Sequence, residues 1–292
     1  MRLARYALRG CEHIGLVDPA RESVSELAVD MDVCDPMIAL IEHLLDGRRV
    51  PETRGAAVGL AEARLLPPIV QPRKNILCIG KNYLAHAREF TASGFDSSSA
   101  ASADPVPVAP IVFTKAPGCL SGAHDDIEVP WDLTAQVDYE GELGIVIGKP
   151  GRAIAREAAF DHVWAYTLIN DVTARDLQAR HKQWHLGKSL DTFCPIGPWL
   201  TTADEVEGGN LSLECRVNGE LRQSANTRDL IFDIPNIIAT LSAGMTLQTG
   251  DIIATGTPAG VGIGFDPPKF LRAGDVVEVS IGGLGRIVNR VV

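Results

Sequence analysis

The chain has 292 residues, 46% of them hydrophobic, with a formal net charge of −10 and an isoelectric point near 5.2. That length and apolar content suit one large domain, or one domain with a small appendage, around a substantial core. The acidic balance, without clustered Lys and Arg, argues against a nucleic-acid partner.

No run approaches the roughly 18 apolar residues of a membrane span, and the opening MRLARYALRG lacks a signal-peptide core. The expectation is a soluble, cytoplasmic protein without a membrane partner. Cys11, Cys34, Cys78, Cys119, Cys194 and Cys215 are scattered with no CxxC pair, which predicts reduced, buried thiols rather than disulfides or a zinc site.

Residues 1–70 read as a small N-terminal module. Short strands are predicted around Leu3 to Leu8 and His13 to Val17, followed by PMIALIEHLLDG, where Ile38, Ile41, Leu44 and Leu45 recur at helical spacing and Gly47 is a stop. The module carries no constellation of catalytic residues. Pro67, Pro68 and Pro72 mark its boundary with the larger region, residues 71–292.

That region opens with NILCIGKNYLAHAREF, a short strand (Ile76 to Ile79) running through Gly80 into a helix. His86 and Glu89 are three residues apart on it and share a face, so the carboxylate can orient the imidazole as a general base. The competing reading is a structural histidine. The following TASGFDSSSAASADPVPVAP is too polar and broken for packed structure, and reads either as an active-site lid or as an ordinary surface loop.

The segment QVDYEGELGIVIG carries Glu140 and Glu142 in a strand-like run. Side chains at i and i+2 of a strand share a face, with Cβ atoms roughly 6 to 7 Å apart. Paired like charges are costly unless a cation sits between them, and a hard divalent cation such as Mg²⁺, Mn²⁺ or Ca²⁺ takes oxygen ligands. An exposed acidic strand face is the alternative. A helix is then expected over AIAREAAFDHV, and the strand WAYTLIND ends in Asn170 and Asp171, where side chains leave a sheet for an open cleft. Asp171 is the candidate third carboxylate. Thr173 with Asp176 reads as a capping box opening a helix, on which Arg175 and Gln178 share a face and offer partners for a substrate carboxylate. A solvated helix face is the plain alternative for these two.

Gly187, Lys188 and Ser189 suggest a phosphate loop, but the Walker pattern needs a glycine where Lys182 stands. Lys188 is kept as a fixed charge near an oxyanion. The last third reads as β-rich, with a hairpin at Asn218 and Gly219, a helix over IPNIIATLSAG, and glycines at 256, 260, 262 and 264. Those glycines do not form a dinucleotide fingerprint, because Pro267 and Pro268 stand where its helix would run. They suit a turn that lets backbone approach a ligand.

Taken in order, NYLAHAREF, VDYEGELGIVIG, INDVTARDLQ, LGKSLDTFCPIGPW, VNGELRQ and TGTPAGVG resemble the fumarylacetoacetate hydrolase family over residues 72–292. The resemblance implies an α+β, β-rich fold, a mixed β-sandwich roll with a small N-terminal β-containing module, and a homodimer. It implies a divalent metal, Mg²⁺ or Mn²⁺ or Ca²⁺, on Glu140, Glu142 and Asp171. It further implies that Arg175, Gln178 and Thr257 face the substrate, that Lys188 stabilises developing negative charge, and that His86 and Glu89 form the lid dyad. Some members hold a fourth carboxylate ligand, for which this sequence has no secure counterpart. The expected reaction is hydrolysis of a C–C bond in an acylpyruvate-like or 2,4-dioxo acid. The alternatives are a decarboxylase, isomerase or hydratase of oxaloacetate-like or 2-oxo-heptenedioate substrates, and a catalytically silent metal- or sugar-acid-binding protein.

Overall fold

In the computed structural model, which describes residues 1–95 and 104–292, the strands sort into two main sheets. The larger runs in the order Thr53–Gly59, Ser23–Leu27, Cys11–Asp18, Arg2–Leu8, Cys194–Thr202, Val163–Asn170, Gly141–Ile147, Ile252–Ala254, Ile76–Gly80 and Ile111–Lys115. The smaller has the order Glu220–Asn226, Ser212–Val217, Val276–Ile281, Gly285–Arg290. It packs against the central strands of the larger sheet. The fold is the β-rich α+β arrangement expected from the sequence.

The central strand Gly141–Ile147 is buried along its whole length. Its side chains alternate between two apolar layers: Leu143, Ile145 and Ile147 point into the core shared with the smaller sheet, and Val146 into a second core on the other face. The helix Pro36–Leu45 covers that second core with Met37, Ile38, Leu40 and Ile41. Asp35 caps it by accepting from the Met37 and Ile38 amides, and its other oxygen accepts from Val70 and Gln71. Gly47 adopts a φ of 75° beyond the helix end, as a stop residue does. The N-terminal strands join the sheet edge through Arg2–Leu8, which pairs antiparallel with Cys194–Thr202.

The hairpin at Asn218 and Gly219 forms with φ of 52° and 80°, the signs its tight turn requires. Three local expectations are corrected. The run AIAREAAFDHV forms a 3-10 helix, Arg156–His162, in which only Ala159 and His162 are buried. Thr173 does not cap the next helix: it sits in the short strand Thr173–Ala174 and donates its hydroxyl to the Asp171 carbonyl, while Ala174 precedes helix Arg175–His181. Asp176 instead accepts from Thr134. All six cysteines are free, but only Cys78, Cys119, Cys194 and Cys215 are buried, and Cys11 and Cys34 are exposed. Among the described residues no helix is long and apolar enough to cross a membrane.

Candidate active site and metal centre

Glu142 lies in the central strand, Glu140 immediately before it, and Asp171 immediately after the adjacent strand Val163–Asn170. The ladder sets Gly141 opposite Asn170 and Glu142 opposite Ile169, which brings the end of one strand to the start of the other. The Asp171 amide donates to the Glu140 carbonyl (2.8 Å), and the Glu140 amide donates to the Asn170 side-chain oxygen (3.0 Å). One oxygen from each of the three carboxylates falls within 4.8 Å of the others. All three are buried, at 4%, 1% and 0% exposure, so the reading of an exposed acidic strand face is excluded.

Three cations surround them. Lys188 Nζ bridges Glu140 Oε2 (2.8 Å) and Asp171 Oδ2 (2.6 Å). Lys115 Nζ donates to Asp171 Oδ1 (2.7 Å) and to the Val172 carbonyl (3.1 Å). Arg175 places Nη2 2.6 Å from Glu140 Oε1 and 2.9 Å from Asp138 Oδ2. Those Nη2 contacts are off line for a straight hydrogen bond and are best described as ionic. Arg175 Nε donates to Asp138 Oδ2 (3.0 Å) and Nη1 to Gln178 Oε1 (3.1 Å).

Charge is unevenly shared. Burial acts to raise the Glu140 carboxyl, but Lys188 and Arg175 outweigh it and hold it at about 2. Burial, then Asp171 and Glu140, push Glu142 well above the usual carboxylate range. Its hydrogen-bond donor is the Gly256 amide at 2.7 Å, and among the described residues no Lys or Arg makes an ion pair with it. Burial opposes the charge on Lys115, yet Asp171 raises its pKa. A buried, all-oxygen donor set in which one carboxylate makes no ion pair among the described residues fits a hard divalent ion.

The cavity beside the carboxylates is lined by Glu140, Glu142, Arg175, Gln178, Lys188, Thr257, His86 and Lys81, with Phe90, Phe113 and Trp184 as an aromatic wall. Trp184 meets Phe90 and Phe113 edge-on, and Lys188 Nζ lies 5.0 Å from the Phe113 ring centre. His86 is brought in by helix Leu84–Ala92, whose buried face is His86, Ala87 and Phe90. Its Nδ1 lies 3.2 Å from Glu89 Oε2, which leaves Nε2 as the basic nitrogen. The cavity holds about 20 Å³, room for about one water. An open groove of about 830 Å³ around Trp131, Phe265 and Phe270 shares no lining residue with it. The centre of the expected lid, residues 96–103, lies outside the described residues.

Of the nine candidate site residues, seven line this cavity, while Glu89 and Asp171 stand behind it against His86 and Lys188. Two of the seven stand differently from a simple substrate-facing role. The Arg175 fork is committed to Asp138, Glu140 and Gln178, and the Thr257 hydroxyl donates to the Gly141 carbonyl (3.0 Å) and accepts from Gln223 (2.7 Å). Sequence reasoning missed Lys115, Asp138 and Lys81, the last buried and within 3.3 Å of the Thr91 hydroxyl.

The sequence pattern described as fumarylacetoacetate (FAA) hydrolase C-terminal matches residues 75–292. The chain belongs to the fumarylacetoacetate hydrolase family. Among family relatives, oxaloacetate tautomerase YisK of Bacillus subtilis is 49% identical over 260 residues, covering 88% of this chain and 83% of the relative. A fumarylacetoacetate hydrolase from psychrophilic Exiguobacterium antarcticum superposes with a TM-score of 0.82 at 40% identity, over 100% of this chain and 99% of the other. Maleylpyruvate hydrolase from Sphingobium sp. SYK-6, in complex with manganese(II) ion and pyruvate, gives 0.76 at 34% identity, again over 100% and 99%.

Proposed function

We propose that this chain is a divalent-metal-dependent enzyme of 2-oxo acids, and that it interconverts the keto and enol forms of an oxaloacetate-like substrate. The observation that carries the reading is the convergence at one small cavity of a three-carboxylate cluster, the Lys188 ammonium and the His86 imidazole. The substrate class is supported by the 49% identity to an oxaloacetate tautomerase.

Glu140, Glu142 and Asp171 would hold the cation, which when bound supplies Lewis acidity toward the carboxylate and keto oxygens of a 2-oxo acid. Lys188 faces the negative charge that grows on the C2 oxygen when C3 loses a proton. His86, with Nδ1 tied to Glu89, takes that proton on Nε2 and returns it. Phe90, Phe113 and Trp184 keep water from the reacting carbon and strengthen the charges around it. Arg175 and Gln178 fix the substrate's end of the cavity, with Arg175 acting as a placed charge.

Hydrolysis of an acylpyruvate-like acid is the second reading, favoured by the complete His86–Glu89 pair and by the likeness to maleylpyruvate hydrolase. In it His86 deprotonates a water that adds to the distal carbonyl, the C–C bond breaks, and the electron pair left on C3 is protonated. A homodimer in the cytoplasm completes the proposal. Loss of the enol absorbance of oxaloacetate, followed with Mn²⁺ beside acetylpyruvate and fumarylpyruvate cleavage, separates the readings. Faster enol loss without cleavage is expected. Cleavage alone would replace the first reading by the second, and no turnover of any of them with Mn²⁺ bound would overturn both.

A further inference from the structure

Residues 260–270 contact both Glu89 on the helix that carries His86 and Asp138, two residues before Glu140 of the carboxylate centre. On the helix side, the Gly260 amide donates to both Glu89 oxygens, at 3.0 and 3.3 Å. Gly264 lies so close to the Glu89 carboxyl group that a methyl group there would overlap it. Phe95, just beyond the helix, meets Phe270 edge-on with ring centres 6.1 Å apart. This segment is therefore the seat on which the helix rests.

The seat is glycine-rich, and its single 3-10 turn, Gly262–Gly264, has little rigidity of its own. It is held by Asp138, which is 0% exposed. Asp138 Oδ1 accepts from the Gly262 amide (2.6 Å), and Oδ2 from the Ile263 amide (3.2 Å). The same Oδ2 accepts from Arg175 Nε, and the Nη2 of that guanidinium faces Glu140. A carboxylate suits this node because only acceptors are wanted and a fully buried Arg needs a counter-charge. An amide at the same place offers one acceptor and turns its own donors against the others.

We propose that Asp138 is a positioning residue that couples seating of the lid helix to the placing of Arg175 against Glu140. Fixing the seat locks Glu89, and through it the His86 ring, in the same act that fixes the guanidinium beside a carboxylate of the centre. Closing of the lid and assembly of the charged site are one event rather than two. The inference rests on the proposed function only for what the closed lid does, not for the coupling itself.

The test compares full-length wild type, D138N, G264A and the double variant by amide hydrogen exchange over residues 84–92, by Mn²⁺ calorimetry, and by kcat and KM on oxaloacetate. D138N should speed exchange in the lid helix about ten-fold and weaken Mn²⁺ about ten-fold, the usual scale for a group that orients a ligand. G264A, whose backbone tolerates alanine and whose new methyl meets Glu89, should loosen the helix equally with Mn²⁺ affinity unchanged. The double variant should be no looser than D138N, and both single variants should lower kcat more than they raise KM. Should D138N fail to fold, Asp138→Glu, with its charge displaced by one methylene, carries the same exchange expectation. Wild-type exchange over residues 84–92 in the Asp138 variant, or acceleration spread evenly along the chain, would overturn the coupling. If wild type with Mn²⁺ bound turned over no 2-oxo acid while the lid loosened as described, the coupling would stand and the functional reading would fall.

Discussion

The carboxylate centre and the lid helix face each other across one small cavity, yet they are built differently. Glu142 stands in a strand buried along its length and paired on both sides, with Val163–Asn170 and with Ile252–Ala254. Helix Leu84–Ala92 has three buried residues, no side-chain cap at its start, and Leu84 exposed. Displacing the strand would break two ladders and two apolar cores, whereas displacing the helix breaks the Glu89 contacts and a small aromatic cluster. On the proposed function, the contrast is between a preorganised electrostatic seat and an acid–base group on a less firmly held helix, a division that would let substrate enter without disturbing the charges that act on it.

Removing a proposed metal ligand should break the rigid side most severely. Glu142→Ala is expected to lower metal-dependent kcat/KM by about 10³-fold or more, the scale of several kcal/mol of Lewis-acid stabilisation, with the circular dichroism spectrum unchanged. Full activity in that variant would remove Glu142 from the ligand set. Lys188→Met should follow at about 10² to 10³-fold, expressed in kcat, since its charge serves the transition state. His86→Ala tests the less firmly held side. A loss of about 10²-fold is expected, largest for any hydrolysis, with Mn²⁺ affinity retained. Hydrolysis at the wild-type rate would reduce the His86–Glu89 pair to a lid contact.

The smallest effect is on stability. Burial and its acidic neighbours raise Glu142 above its usual value in the folded state, so folding favours its protonated form. That contribution is complete below about 4.5, the ordinary glutamate range, and is lost as pH rises through the raised pKa. Without metal, Glu142→Gln should therefore melt above wild type at neutral and higher pH, by about 2–4 °C per kcal/mol. Added Mn²⁺ should reverse the order, because only wild type binds it well. Equal melting temperatures at all pH values would mean that Glu142 carries no such strain.

What the sequence made legible follows the range of the interactions. Glu140 and Glu142 are readable because a strand places i and i+2 on one face, and His86 with Glu89 because a helix brings i and i+3 together. Asp171 is readable from its place at a strand end. Lys115 and Asp138 have no such local signature: Lys115 closes an ordinary apolar strand, and its value lies in a contact with a residue 56 positions away. Asp138 resembles the acids beside it, and only the folded chain shows that its partners are Arg175 and two amides of the 262–263 turn. The cap assigned to Thr173 failed for a related reason. Its pairing with Asp138 across two short strands overrides the local helix-start pattern.

The rate of oxaloacetate enol-to-keto conversion by the full chain, stripped of metal by a chelator and then supplied with Mn²⁺, tests the central claim most directly. Conversion at the buffer rate is expected after stripping, with recovery on adding Mn²⁺ and no recovery in Glu142→Ala. Catalysis that survives stripping undiminished, or that Mn²⁺ restores equally in Glu142→Ala, would contradict the claim.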